Sequence, residues 1–210
     1  MYTLYYSPGA ASLAVHWMLI ELGVPHELKK VDMEAGEHRQ PEYRKLNPNG
    51  LVPAMIVDGT PLFEGAALLM LLAERHPQAG FAPPPGSPQR GPYVTWMFHL
   101  SNTLQAAFKD WFYPERPAGA DAVEGAKASA RAKIEECWDR VEAQIRSGGP
   151  YLVGDRISAA DFLATMLMRW SRNMPKPATE WATLANYVAR MKARPSFKTL
   201  YAREGLTEWA

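Results

Sequence analysis

The chain predicts a mixed α/β N-terminal domain followed by an all-α C-terminal helical domain. Three observations carry that prediction. Apolar patterns in the first 77 residues run β-α-β and then β-β-α. The stretch "PQAGFAPPPGSPQRGP" (77–92) holds six prolines in sixteen positions, and prolines fix φ and remove N–H donors, so it reads as a linker. Every apolar pattern after it has helical spacing. The expected boundaries are a first domain over 1–78, a proline-rich linker over 79–92 and a helical domain over 93–210.

Each element has its own signal. "YTLYYS" (2–7) alternates and is rich in aromatic and β-branched residues, so it predicts a strand. "ASLAVHWMLIELG" (11–23) spaces Leu13, Trp17 and Ile20 as a helix does, with Gly23 as its stop and Pro25 beyond. "PHELKKVDM" (25–33) predicts a second strand. Within "LVPAMIVDGTPLFE", Asp58-Gly59 separates two short apolar runs and predicts a hairpin. "GAALLMLLAERH" (65–76) is an apolar helix stopped before Pro77. Beyond the prolines, helices are expected over 93–112, 122–148, 158–173, 181–193 and around 196–203, with Pro114 and Pro117 as breaks. Ser158 and Asp161 have the spacing of a capping box, and Ile157 with Phe162 that of a hydrophobic staple.

Composition narrows the function. Of 210 residues 47% are apolar and 21% charged, with net charge +1, an ordinary globular balance. Nothing in it favours nucleic acid or an anionic membrane as partner. No apolar run reaches spanning length and no leader is visible at the N-terminus. The single cysteine, Cys137, permits no intramolecular disulfide and sits with Ile134, Trp138 and Val141 at helical spacing, as a core thiol would. A cytoplasmic setting is expected. The five histidines lack metal-ligand spacing and there is no Gly-rich phosphate loop, so no metal and no tightly bound cofactor are expected.

The stretch "YYSPGAASLA" (5–14) places a turn between a strand and a helix, with Ser12 in the first helical turn and no thiol. As residues alone, Ser12 is either an N-cap or a hydroxyl aimed at a ligand, and Tyr6 and Ser7 are the other hydroxyls within reach. Glu64, just before a helix, is either a partner for the helix dipole or a ligand contact. Trp111, Phe112 and Tyr113 cannot all face one side of a helix, so at least one is exposed or lines a cleft.

Three stretches together resemble the cytosolic glutathione transferase superfamily: "LYYSPGAASLAVHWMLIELG" (4–23), "NPNGLVPAMIVDGTPLFEGAALLMLLAE" (47–74) and "YLVGDRISAADFLATMLMRW" (151–170). Their order matches that superfamily over nearly the whole chain, and the opening stretch looks most like the bacterial beta class. The resemblance implies a thioredoxin-like N-terminal domain, glutathione as co-substrate, a small apolar electrophile and a homodimer. It implies that the Val52-Pro53 bond is cis and that Val52 offers its N–H and C=O to the cysteinyl part of glutathione. It implies that the start of the "GAALLM" helix takes the γ-glutamyl end, with Glu64 on the ammonium and the Gly65 N–H on the carboxylate.

Several family contacts are altered. The beta-class cysteine falls at Ala11, the family's Glu-Ser pair is Glu64-Gly65, its His-Lys pair falls at Gln105 and Ala106, and Leu51 replaces a polar or basic residue. Ser12, or failing it Tyr6, is then the expected donor to the glutathione sulfur. Gln105, Phe108, Trp111 and Phe112 fall where the resemblance puts the electrophile pocket. The leading expectation is a transferase of the detoxification type. The alternative is a non-catalytic binding or regulatory protein on the same fold.

Overall fold

A computed structural model describes residues 1–209. It divides into two compact units, Met1–Ala82 together with the residues from Met191 on, and Pro83–Arg190.

In the first unit, β1 (Tyr2–Tyr6) leads through the Ser-Pro-Gly turn into α1 (Leu13–Glu21), followed by β2 (His26–Lys30) and a short α2 (Pro41–Arg44). Then come β3 (Ala54–Val57), β4 (Thr60–Phe63) and α3 (Gly65–Arg75). The sheet order is β2-β1-β3-β4, with β1 parallel to β2 and both other pairings antiparallel. Tyr2 pairs with His26 on one side and with Val57 on the other. The hairpin turn needs positive φ at two residues, and Asp58 (φ 50) and Gly59 (φ 86) supply it.

Residues Leu13 to Leu19 of α1 are all buried, so this helix lies inside the unit rather than on its face. It packs on α3 and on α10 (Pro195–Glu204), the last helix of the chain. The Trp17 indole donates to Ser196 Oγ at 2.8 Å and its ring meets Phe197 edge-on at 5.1 Å. Arg194 and Ser196 both donate to the Glu21 carboxylate. The expected helical domain over 93–210 therefore differs from the observed division, because these contacts draw the last twenty residues into the first unit. The linker is also shorter than expected. Pro77–Ala79 forms a 3-10 turn, and α4 (Arg90–Phe98) begins before the segment ends.

The second unit is helical. α4 continues through a π-helical turn (His99–Leu104) into α5 (Gln105–Phe112), then α6 (Glu115–Ala118) and α7 (Val123–Gly148). α8 (Ala159–Trp170) and α9 (Ala182–Lys192) complete it. α7 buries Ala130, Ile134, Cys137, Trp138, Val141 and Ile145 along one stripe. Every residue of α8 up to Arg169 is buried, so this helix forms the centre of the unit. Its start carries the expected capping box: Asp161 accepts from the Ser158 N–H at 2.7 Å. The same carboxylate accepts from Leu152 N–H and from the Tyr187 hydroxyl. No helix among the described residues is long and apolar enough to cross a membrane.

Candidate active site

The first unit brings three distant segments to one place. The carbonyl of Ala11, the Pro53 ring and the start of α3 meet so closely that a Cβ on Gly65 would lie 3.6 Å from Ala11 O and 3.8 Å from Pro53 Cγ. The Val52-Pro53 bond is cis, and among the described residues the Val52 N–H and C=O have no hydrogen-bond partner. The chain around them is held firmly. Tyr43 Oη and Asn47 Nδ2 each donate to Leu51 O at 2.7 Å, and burial pushes the Tyr43 hydroxyl's pKa up. Gly50 is required beside them, since φ is 60 and a Cβ would stand 2.9 Å from His38 O. Leu51 itself projects outward, 40% exposed, so its side chain offers an apolar surface where the resemblance expects a polar contact.

α3 opens on Glu64, exposed, with φ 71 and ψ 105, a conformation that a residue with a Cβ rarely adopts. Such strain persists where surrounding structure imposes it, and functional sites collect it. The first α3 hydrogen bond back to this residue runs from Leu68 N–H to Glu64 O at 2.9 Å. The N–H groups of Gly65, Ala66 and Ala67 have no acceptor among the described residues and lie at the positive end of the helix dipole.

The other wall is the turn that precedes α1. Ala10 N–H donates to Ser7 O at 3.1 Å, and Gly9 has φ 68. Ser12 is fully buried and its hydroxyl points back into this turn, accepting from Ser7 N–H and donating to Ser7 O, both at 3.2 Å. Its one hydroxyl proton is thereby engaged. The N–H groups of Ala11 and Ser12 have no acceptor among the described residues. The Tyr6 hydroxyl likewise has none, and its half-buried ring lies 5.6 Å from that of His16.

Ser12, Val52, Pro53, Glu64 and Gly65 are thus gathered on neighbouring segments of one unit. The residues expected at the electrophile pocket lie in the other unit and are only partly gathered. Phe112, 46% exposed, stacks at 5.9 Å on fully buried Phe108, and both meet the Trp170 ring edge-on. Half-buried Gln105 opens the same helix. Trp111 turns away, with Lys127 Nζ over its ring at 4.8 Å. Helical spacing of 108 and 112 explains the pairing, since residues four apart share a face and 111 does not.

Sequence reasoning missed Tyr43 and Asn47, which grip the Leu51 carbonyl, and Glu204, which accepts from the Gly9 N–H and meets His16 Nδ1. "NPNG" marked the turn containing Asn47 but not the carbonyl it grips. Nothing local marked Glu204.

Comparison with known proteins gives the family of the chain. The family model for the glutathione S-transferase N-terminal domain matches residues 10–75, and that for the C-terminal domain matches residues 102–204. The chain is 30% identical to glutathione S-transferase GstA of Escherichia coli O157:H7 over 97% of its own length and 98% of that protein. It is similar to a glutathione transferase homologue from Sulfitobacter solved with bound glutathione, at 29% identity and a TM-score of 0.88, covering 99% of each chain. A beta-class glutathione S-transferase from Sphingomonas chungbukensis is 27% identical with a TM-score of 0.84, over 98% of this chain and 100% of that one. The chain belongs to the glutathione S-transferase family. It is a transferase of the thioredoxin-like fold with glutathione as its co-substrate.

Proposed function

We propose that the enzyme binds glutathione along Val52 and at the start of α3 and transfers its thiolate to a small apolar electrophile. The observation that carries this reading is the meeting of Ala11, Pro53 and Gly65 beside the unpartnered N–H and C=O of Val52. An extended tripeptide needs backbone partners for its cysteinyl residue, and Val52 supplies one of each kind. The γ-glutamyl carboxylate suits the open N–H groups of Gly65 and its successors, and exposed Glu64 suits the ammonium beside it. The sulfur then falls against the start of α1, where the Ala11 and Ser12 N–H groups favour thiolate over thiol. Of the two expected side-chain donors, Tyr6 has the hydroxyl without a partner, while Ser12 spends its own on Ser7. We assign the electrophile side to Gln105 and Phe112, with Phe108 backing the Phe112 ring. Trp111, turned to Lys127, is left out.

The family resemblance adds a cytoplasmic homodimer acting in detoxification, and sedimentation or light scattering of the purified chain tests the dimer. Calorimetric titration with glutathione, followed by assay with a halonitrobenzene, tests the rest. Binding with turnover is expected. No binding at about millimolar glutathione, the upper end of ordinary KM values, overturns the site. Binding without turnover would instead leave a glutathione-binding protein.

A further inference from the structure

Glu204 ends the last helix, 188 residues from His16 in sequence, and its side chain is wholly inaccessible. Each of its oxygens has its own partner. Oε1 meets His16 Nδ1 at 2.7 Å, and Oε2 accepts from the Gly9 N–H at 2.8 Å. His16 is itself fully buried, and its other nitrogen, Nε2, has no hydrogen-bond partner among the described residues. The one hydrogen bond of that ring among the described residues therefore orients the carboxylate. Gly9 is the centre of the turn that leads to Ala11 and Ser12. The turn is fixed at two points, Ser7 by the Ser12 hydroxyl and Gly9 by Glu204.

Burying an ionisable pair is costly, and apolar packing would dock a terminal helix at least as well. What the pair does that apolar side chains cannot is grip one backbone N–H of the turn. We propose that Glu204 is a positioning residue for the glutathione thiolate. By holding Gly9, it sets the direction of the Ala11 and Ser12 N–H groups, and His16 holds Glu204 in that pose. The inference rests on the glutathione site described above. It extends that site to the far end of the chain.

The test uses the full chain and two probes, glutathione and S-methylglutathione, whose sulfur cannot ionise. Glu204→Gln leaves one oxygen for two donors, so either a contact is lost or His16 must move its proton to Nε2, which is buried with no acceptor among the described residues. Bound glutathione should then show a thiol pKa raised by about one unit and kcat near neutral pH reduced about tenfold. The rate should recover at high pH, and affinity for S-methylglutathione should hold. His16→Gln keeps a donor for Glu204 and should retain the wild-type thiol titration. A Glu204→Gln protein that melts cooperatively, binds glutathione and titrates like wild type overturns the proposal. So does equal loss of affinity for both probes, which marks a structural role only. If Glu204→Gln does not fold, His16→Leu, which removes the group that holds the carboxylate, takes its place, and an unchanged thiol titration in that folded variant overturns the proposal. Failure of the wild-type protein to bind either probe would count against the glutathione site itself and is read before any variant.

Discussion

Restoring a hydroxyl at Gly65 gives the sharpest test of where the γ-glutamyl carboxylate lies. Gly65 is the first residue of α3 and does not have positive φ, so a side chain meets no backbone penalty. The added Cβ would sit 3.6 Å from Ala11 O, 3.8 Å from Pro53 Cγ and 3.9 Å from Pro53 Cδ, all ordinary contacts. The Gly65 N–H stays available, and the serine hydroxyl becomes a second donor at the same helix end. A hydrogen bond to a charged group contributes roughly 1.5–3 kcal/mol. Gly65→Ser should therefore lower the glutathione Kd by about ten- to a hundredfold, with the electrophile KM nearly unchanged. The melting temperature should not fall, since glycine is the poorer helix residue by about 0.5–1 kcal/mol relative to alanine. Calorimetry gives the Kd and steady-state kinetics separate the two substrates. A folded Gly65→Ser enzyme whose glutathione affinity is unchanged or weaker would show that the carboxylate does not lie at the start of α3.

Ser12→Ala should leave the thiol pKa of bound glutathione in place, because its hydroxyl serves Ser7, and should cost about 1–3 kcal/mol of stability by leaving the Ser7 N–H and C=O without that partner. Tyr6→Phe should raise that pKa and lower kcat near neutral pH; ultraviolet thiolate absorbance against pH reads both, and the reverse pattern would return Ser12 to the catalytic role. Asp161→Ala strips the acceptor from Leu152 N–H, Ser158 N–H and the Tyr187 hydroxyl in the buried centre of the helical unit, and should cost about 3–5 kcal/mol by urea denaturation. Burial pushes the Glu21 carboxyl up, but hydrogen bonds from Arg194 and Ser196 and the Arg194 charge outweigh it and leave the pKa below the ordinary 4.5. The unfolded chain thus takes up that proton first, so the pair's stabilisation is complete above the ordinary value and fades as pH falls through the lowered one. Glu21→Gln should accordingly lose less stability than wild type on acidification, measured as denaturation midpoints at neutral and acid pH.

The strands, the hairpin at Asp58-Gly59, the capping box at Ser158 and the stripe of α7 were legible because each is written in residues close together in the chain. Local conformation depends on φ, on side-chain period and on caps, and these act within a few positions. The motif around Val52-Pro53 and Glu64-Gly65 was legible for another reason: a resemblance carried it, while the residues alone leave Glu64 as either a partner for the helix dipole or a ligand contact.

Tertiary structure decided the rest. Ser12 carried a hydroxyl in a helical turn, yet only the fold could turn it inward onto Ser7. Trp111 and Phe112 are neighbours in sequence, and the helix sends one to Lys127 and the other to Trp170. The chain's last helix belongs with its first because Trp17, Glu21, His16 and Gly9 find partners there. Hydrogen bonds and packing between residues nearly two hundred positions apart leave no periodic trace in either segment. The sequence by itself determined the elements, the family resemblance and the list of candidate groups. Which of those groups are tied into the fold and which keep open hydrogen-bonding capacity was settled by tertiary contact, because a buried polar atom must find its partner wherever the fold supplies one.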